Sequence, residues 1–150
     1  LVIEFYGSIA LEDCRFRANY APSMGGAVHA DDAELALSRC VFARNAAEVG
    51  GGAVAYEAAE ESSGAVALGG SNFSRNEAPV GGGFYGSGLA DLRGAGAAFA
   101  DNGALRGGAL YVDGASFAVE DVDLAGNLAT LGAGFYVESS SECDLRGLAS

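Results

Sequence analysis

Cys40-Val41-Phe42-Ala43-Arg44-Asn45, followed after a short polar turn by Gly51-Gly52-Ala53-Val54, reads as a strand, a sharp corner and a second strand. The first part returns as Phe16-Arg17-Ala18-Asn19, Phe73-Ser74-Arg75-Asn76, Phe99-Ala100-Asp101-Asn102 and the weaker Leu124-Ala125-Gly126-Asn127. From Asn19 through Asn45, Asn76 and Asn102 to Asn127 the successive intervals are 26, 31, 26 and 25 residues. A unit of that size repeated at that period cannot bury its apolar side alone and is stacked on copies of itself. Only the second interval is long. Its surplus is Glu57-Ala58-Ala59-Glu60-Glu61-Ser62-Ser63-Gly64, an acidic small-residue loop of the kind a solenoid carries on one corner.

The second half of the repeat follows each Asn as Gly25-Gly26-Ala27-Val28, Gly51-Gly52-Ala53-Val54, Gly82-Gly83-Phe84-Tyr85, Gly107-Gly108-Ala109-Leu110 and Gly132-Ala133-Gly134-Phe135. Phe5-Tyr6-Gly7-Ser8 resembles Phe84-Tyr85-Gly86-Ser87, so the chain opens in the middle of a coil. At the other end Cys143-Asp144-Leu145 aligns with the Phe strand, and Leu148 stands where the next Asn would fall. Ile9-Ala10-Leu11, Leu35-Ala36-Leu37, Val66-Ala67-Leu68 and Phe117-Ala118-Val119 place bulky residues two apart, which is strand periodicity. The pattern predicts an all-β fold, a right-handed single-stranded parallel β-helix of five to six coils with roughly 25 residues in each. The whole chain is one domain, with an insertion at 57–64.

In such a stack Phe16, Phe42, Phe73, Phe99 and Leu124 form an internal apolar column, each side chain offset over the next. Asn19, Asn45, Asn76, Asn102 and Asn127 form an amide ladder, and the reading assigns to Asn the left-handed conformation that a sharp corner demands. Gly25, Gly26, Gly51, Gly52, Gly82, Gly83, Gly107 and Gly108 let the chain turn where a Cβ would clash.

Composition agrees with a narrow, many-cornered structure: half of the residues are hydrophobic and 24 are Gly, which is far from a disordered composition. Formal net charge is −12, from 20 acidic residues against 8 basic ones, all of them Arg. That field repels phosphate backbones and anionic membranes, so nucleic acid is disfavoured as a partner. No apolar run approaches the ~20 residues of a spanning helix, and Leu1 to Ala10 has no basic head of a secretory leader. The start at Leu1-Val2-Ile3, without an initiating Met, points to a piece of a longer protein.

Phe-x-x-Asn followed by Gly-Gly-Ala-[Ile/Leu/Val], intact here at Gly25, Gly51 and Gly107, resembles the repeat pair of the chlamydial polymorphic outer membrane proteins. The likeness runs from Phe16 to about Val137. It implies a surface-displayed β-helix of autotransporter-passenger type, associated with adhesion to host cells. Similar repeats occur in large surface proteins of other organisms, algae included.

Several residues invite a chemical reading. Cys14, Cys40 and Cys143 align two positions before the Phe column, where other coils have Ser71, Ala97 and Val122. Cys14 and Cys40, on adjacent coils about 4.8 Å apart, can be reduced core thiols or a disulfide. Cys143 is too far away to join them. His29 is the only histidine and has no nucleophile pattern around it. The carboxylate clusters Asp31-Asp32, Glu60-Glu61 and Glu120-Asp121 with Asp123 do not recur at one coil position, so neither a paired-carboxylate hydrolase nor a cation loop is indicated. Arg44 and Arg75 stack outward with Glu48 and Glu77 as expected partners, and with Arg17 they offer a weak site for an anionic sugar. No catalytic residue, metal or cofactor is expected.

The functional expectation is a non-enzymatic structural or adhesion scaffold of a cell-surface or extracellular protein. Its partners would be further coils or other subunits at the stack ends, or a host or matrix protein or glycan, with no direct membrane span. The alternatives are a carbohydrate-active β-helix, lyase or glycosidase, and a component of an assembly packed end to end through its strand edges.

Overall fold

A computed structural model describes residues 1–4, 7–59, 64–114, 116–139 and 142–147. The expectations placed on Glu60, Glu61 and Leu148 lie outside the described residues, as do Phe5 and Tyr6 themselves. The alignment of Phe5-Tyr6-Gly7-Ser8 with Phe84–Ser87 is nevertheless overturned: Val2, Ile3 and Glu4 share the register of Tyr85, Gly86 and Ser87, and Ser8 pairs with Glu34 one corner later. Every described element is a strand, and every strand pair is parallel. The chain is a β-solenoid of about five turns, repeating about every 26 residues.

Three sheets form the wall. Sheet 1 stacks Val2–Glu4, Val28–Asp31, Val54–Glu57, Phe84–Ser87, Leu110–Asp113 and Phe135–Glu138. Sheet 2 stacks Ser8–Glu12, Glu34–Ser38, Ala65–Gly69, Asp91–Ala95, Ser116–Glu120 and Glu142–Arg146. Sheet 3 stacks Arg15–Arg17, Val41–Ala43, Asn72–Ser74, Ala98–Ala100 and Asp123–Ala125. Short pairings of Tyr20–Ala21 with Ala46–Ala47, and of Gly103–Arg106 with Leu128–Leu131, line the path from the Asn corner back to sheet 1. In sheet 2 the alternation read from the sequence is visible as burial: Leu35 and Leu37 are buried while Glu34 and Ala36 are exposed.

The Phe column is where the sequence places it. Phe16, Phe42, Phe73 and Phe99 are paired in register, with ring centroids 5.0, 4.9 and 4.5 Å apart and planes within 9° of parallel. Leu124 continues the register beside Phe99. Phe42, Phe73 and Phe99 are at most 1% exposed, so each ring contributes about 2 to 3 kcal/mol by leaving water.

The Asn ladder is also present, but its physical role differs from the expectation. The left-handed residue at this corner is the one before Asn: Ala18, Arg44, Arg75 and Asp101 have φ between 54° and 57°, and Gly126 has φ 64°. Asn is there for its amide. The Asn45 Oδ1 accepts from both the backbone N–H and the Nδ2 of Asn19, at 3.0 and 2.9 Å, and the same pair of bonds repeats up the stack through Asn76, Asn102 and Asn127. The second Nδ2 proton goes to the carbonyl of the preceding coil's column residue, as from Asn76 to Phe42 at 3.0 Å. Each buried amide is thereby saturated by the neighbouring coils, which an apolar or shorter side chain could not achieve.

The glycine corner needs one correction. Val28, Val54, Phe84, Leu110 and Phe135 share a register, so the counterparts of Gly25 and Gly51 are Gly81, Gly107 and Gly132, all with φ between 62° and 65°. In the third coil the motif is therefore Gly81-Gly82-Gly83-Phe84, and Gly83 occupies the slot held by Ala27, Ala53 and Ala109. The run of three glycines hid the frame. The second glycine of each pair answers a different need, close approach: a Cβ on Gly52 would lie 2.3 Å from the Gly82 carbonyl oxygen.

Candidate functional site

With the interior filled, whatever this chain recognises is presented by the outward residues of the three sheets and by the corners. Cysteine chemistry is settled by position. Cys40 is buried and its Sγ donates to the carbonyls of Leu11 and Ser38 at 3.2 and 3.4 Å, while Cys14 Sγ donates to Glu12 at 3.3 Å. Ser71, in the same slot one coil on, donates to Gly69 at 3.4 Å. A thiol and a hydroxyl thus make the same bond to the residue two before, which is a corner-closing role. Both cysteines are free, and burial pushes the Cys40 thiol up, away from the reactive thiolate. Cys143 is not in this column: it pairs with Phe117 in sheet 2, and Leu145 with Val119, so that strand precedes the Phe position by one corner.

On the outer face of sheet 1, Tyr85, Tyr111 and Tyr136 form a second aromatic stack, with centroids 5.3 and 5.4 Å apart. An acidic column, Asp31, Glu57, Asp113 and Glu138, runs beside it in register, interrupted by Ser87. The two columns touch where Tyr111 donates its hydroxyl proton to Glu138 at 2.8 Å. Burial first, and then that carboxylate, hold the Tyr111 phenol well above its ordinary range. His29 stands on this face 3.1 Å from Glu57. The tyrosine stack was missed in the sequence, although the spacing of Tyr85, Tyr111 and Tyr136 by one coil each was its signal.

Sheet 2 presents a shallow depression of about 620 Å³ between Asp91, Arg93, Glu120, Asp144 and Arg146. Arg93 is bound to Asp91 at 2.6 Å and Arg146 to Asp144 at 2.8 Å. The cluster expected around Glu120, Asp121 and Asp123 is not brought together. Glu120 faces outward from sheet 2, Asp121 forms the corner with φ 51°, and Asp123 opens the strand of sheet 3, so the three turn around an edge. Asp32 instead closes the inserted loop, accepting the Ala59 N–H at 3.0 Å. Among the described residues no three His, Cys, Asp or Glu side chains converge in a way that could hold a metal ion.

The arginines behave differently from the expectation too. Glu48 accepts the hydroxyl proton of Tyr20 rather than pairing with Arg44. Arg75 reaches Asp101 in the same corner of the next coil, at 3.6 Å, and not Glu77 on its own coil. The corner column reads Ala18, Arg44, Arg75, Asp101 and Gly126, so the neighbours of Arg44 along the stack are a methyl group and another cation. A side chain leaving a left-handed corner meets the adjacent coil sooner than a residue further along its own.

One polar atom inside the wall has no partner among the described residues: the hydroxyl of Tyr56, a residue 0% exposed. Burial, reinforced by Asp32 and Asp31 and opposed by the Ala33 backbone N–H, which lies near the hydroxyl without hydrogen-bond geometry, pushes this phenol up to about 12. Gly64 lies against it where the inserted loop rejoins sheet 2, and a Cβ there would overlap the hydroxyl.

Compared with protein-family models, with curated proteins and with solved structures, the chain finds no match in any of the three.

Proposed function

We propose that this chain is a non-enzymatic scaffold of a cell-surface or extracellular protein, a stiff stacked spacer whose outer faces make contacts with protein or glycan. The observation that carries the reading is the continuity of the Asn ladder from Asn19 to Asn127, because each coil is tied to the next by side-chain bonds as well as by its three sheets. A stack bonded at every rise resists bending and spaces its faces evenly, which suits display over distance. The resemblance of Phe-x-x-Asn and Gly-Gly-Ala-Val to the repeats of polymorphic outer membrane proteins supports the adhesion part of the proposal.

Surface display is tested by accessibility of the parent protein to antibody or protease on intact cells of its source; confinement to the interior would overturn it. The contact role is tested by capture of intact cells or extracellular matrix on immobilised chain. A second reading, a carbohydrate-active β-helix, draws on the depression of sheet 2 with Glu120 and Asp144. Incubation with a polysaccharide panel separates the two: release of reducing ends or unsaturated products, lost on Asp144→Asn or Glu120→Gln, would replace the scaffold with an enzyme.

A further inference from the structure

Eight arginines face 20 acidic residues in this chain, so the ordinary fate of each is to find a carboxylate. Arg39 does so with Asp13 at 2.9 Å and also with Glu12, as do Arg93 with Asp91 and Arg146 with Asp144. Arg106 lies 6.0 Å from the centroid of the Tyr111 ring. The remaining four, Arg15, Arg17, Arg44 and Arg75, gather along one groove of about 390 Å³ on the outer face of sheet 3 and its Asn corner. Among the described residues Arg15, Arg17 and Arg44 have no ion-pair partner, and Arg75 has only the long contact of 3.6 Å to Asp101. Three of the eight arginines thus stand together without a carboxylate among the described residues, beside a fourth that holds only a long one.

The repeat register explains the groove. The outward column that begins with Arg17 continues as Ala43, Ser74, Ala100 and Ala125, so beyond the first coil the wall falls to small side chains. Arg44 and Arg75, stacked in the neighbouring corner, stand beside this strip as a rim, and the outward side chains of Val41 and Ala43 form a small apolar floor, Phe16 being turned inward onto Phe42.

Charge and spacing choose the occupant. An arginine fork without an acid is matched by a planar carboxylate taken bidentately. The carboxylates must be sparse, because the same face turns acidic at Asp101 and Asp123 and the whole chain repels dense polyanions. Nucleic acid, with one charge per ~1.7 Å of duplex, meets that repulsion all along its length. Arg44 and Arg75 are one coil apart, about 4.8 Å, and Arg15 and Arg17 are two strand residues apart, about 6.6 Å. Discrete acid groups on a rigid chain with an apolar ring face fit both the spacing and the floor. We propose that this groove binds a linear uronate polysaccharide, with Arg44 and Arg75 clamping carboxylates and Arg15 and Arg17 holding the chain against the wall. The proposal deepens the scaffold reading by naming the glycan, and it rests on that reading.

The test is affinity electrophoresis and titration calorimetry of the chain with polygalacturonate at low salt. The expected result is binding that is at least about tenfold weaker for the methyl-esterified polymer and for Arg44→Ala/Arg75→Ala, the loss of one charge-assisted contact being worth about a decade. The variant is expected to fold, since both side chains are exposed and Ala18 already occupies this corner at φ 54°. Arg39→Ala, an exposed corner arginine outside both the groove and the depression of sheet 2, serves as the control and leaves binding unchanged. Absence of binding, equal binding of the esterified polymer, an unaffected Arg44/Arg75 variant, or equally tight binding of polyglutamate or a single-stranded oligonucleotide would each overturn the proposal. Cleavage of the polymer would instead overturn the scaffold reading, so the two failures are distinguishable.

Discussion

The phenylalanine column inside the coils and the tyrosine column outside sheet 1 stack at similar intervals, 4.5 to 5.0 Å against 5.3 to 5.4 Å. Both follow from the coil rise, yet they answer to different constraints. Inside, only an apolar side chain of the same column can fill the space above Phe42 or Phe73, so a bulky residue recurs there, with Leu124 ending the run of rings. Outside, water can replace any neighbour, and the tyrosine column gives way to Ala55 and His29 in the earlier coils. Repetition in this chain measures how little freedom a position has. Variation marks the surfaces on which recognition can be built.

Breaking the inner column should have the largest effect. Phe73→Ala removes a ring stacked on both sides and opens a cavity in the middle of the stack, with an expected loss of about 4 kcal/mol in denaturant unfolding. Next comes Asn76→Ala, which strips the buried Asn45 amide and backbone N–H of their acceptor and should lose about 3 kcal/mol. Asn76→Asp keeps the acceptor but gives up the donors to the Phe42 carbonyl and to the Asn102 Oδ1 and sets a buried carboxylate against both oxygens, so it should lose at least as much as Asn76→Ala. The outer column is softer: Tyr111→Phe keeps the ring stack and forfeits only the bond to Glu138, about 1 kcal/mol. A loss for Tyr111→Phe as large as that of Phe73→Ala would erase the distinction between the two columns.

Tyr56 sharpens the contrast, because it is a tyrosine in an inner position. Its hydroxyl is buried without a partner among the described residues, so Tyr56→Phe is expected to leave stability unchanged or raise it by up to about 1 kcal/mol. The pH dependence follows the same logic. A phenol held up at about 12 when folded, against an ordinary value near 10, favours the native state fully below about pH 10, and that contribution is lost as pH rises towards 12. Denaturation midpoints followed from pH 8 to 12 should therefore decline over roughly that alkaline window. The decline should be shallower in Tyr56→Phe, and equal slopes in the two proteins would contradict the burial of this hydroxyl.

Legibility followed the same division. The parallel coils, the Phe column and the membership of the Asn ladder could be read from spacing alone. The frame of the third coil could not, because Gly81, Gly82 and Gly83 are identical and only the register of Phe84 with Val54 and Leu110 separates them. Assigning the left-handed corner to Asn failed for a related reason. Ala18, Arg44, Arg75 and Asp101 share no side-chain chemistry, so a purely backbone requirement left no pattern in the letters. Cys143 looked like a member of the Cys14 and Cys40 column because the last coil offered no Asn to count from. Of the four arginines of the groove, Arg17, Arg44 and Arg75 were already grouped in the sequence by their place beside the Asn corner, whereas Arg15 joins them only across the face of sheet 3.

What the amino-acid sequence determined by itself was the interior, since buried positions are dictated by volume and by unsatisfied amides, and these demands are the same in every coil. Tertiary structure decided the outward charge pairs that cross from coil to coil, whereas Arg93 with Asp91 and Arg146 with Asp144 are already two residues apart on one strand. Partners such as Arg75 and Asp101, or Arg39 and Asp13, are chosen by the rise from one coil to the next, about a whole repeat apart in the chain, where closeness in sequence has no influence.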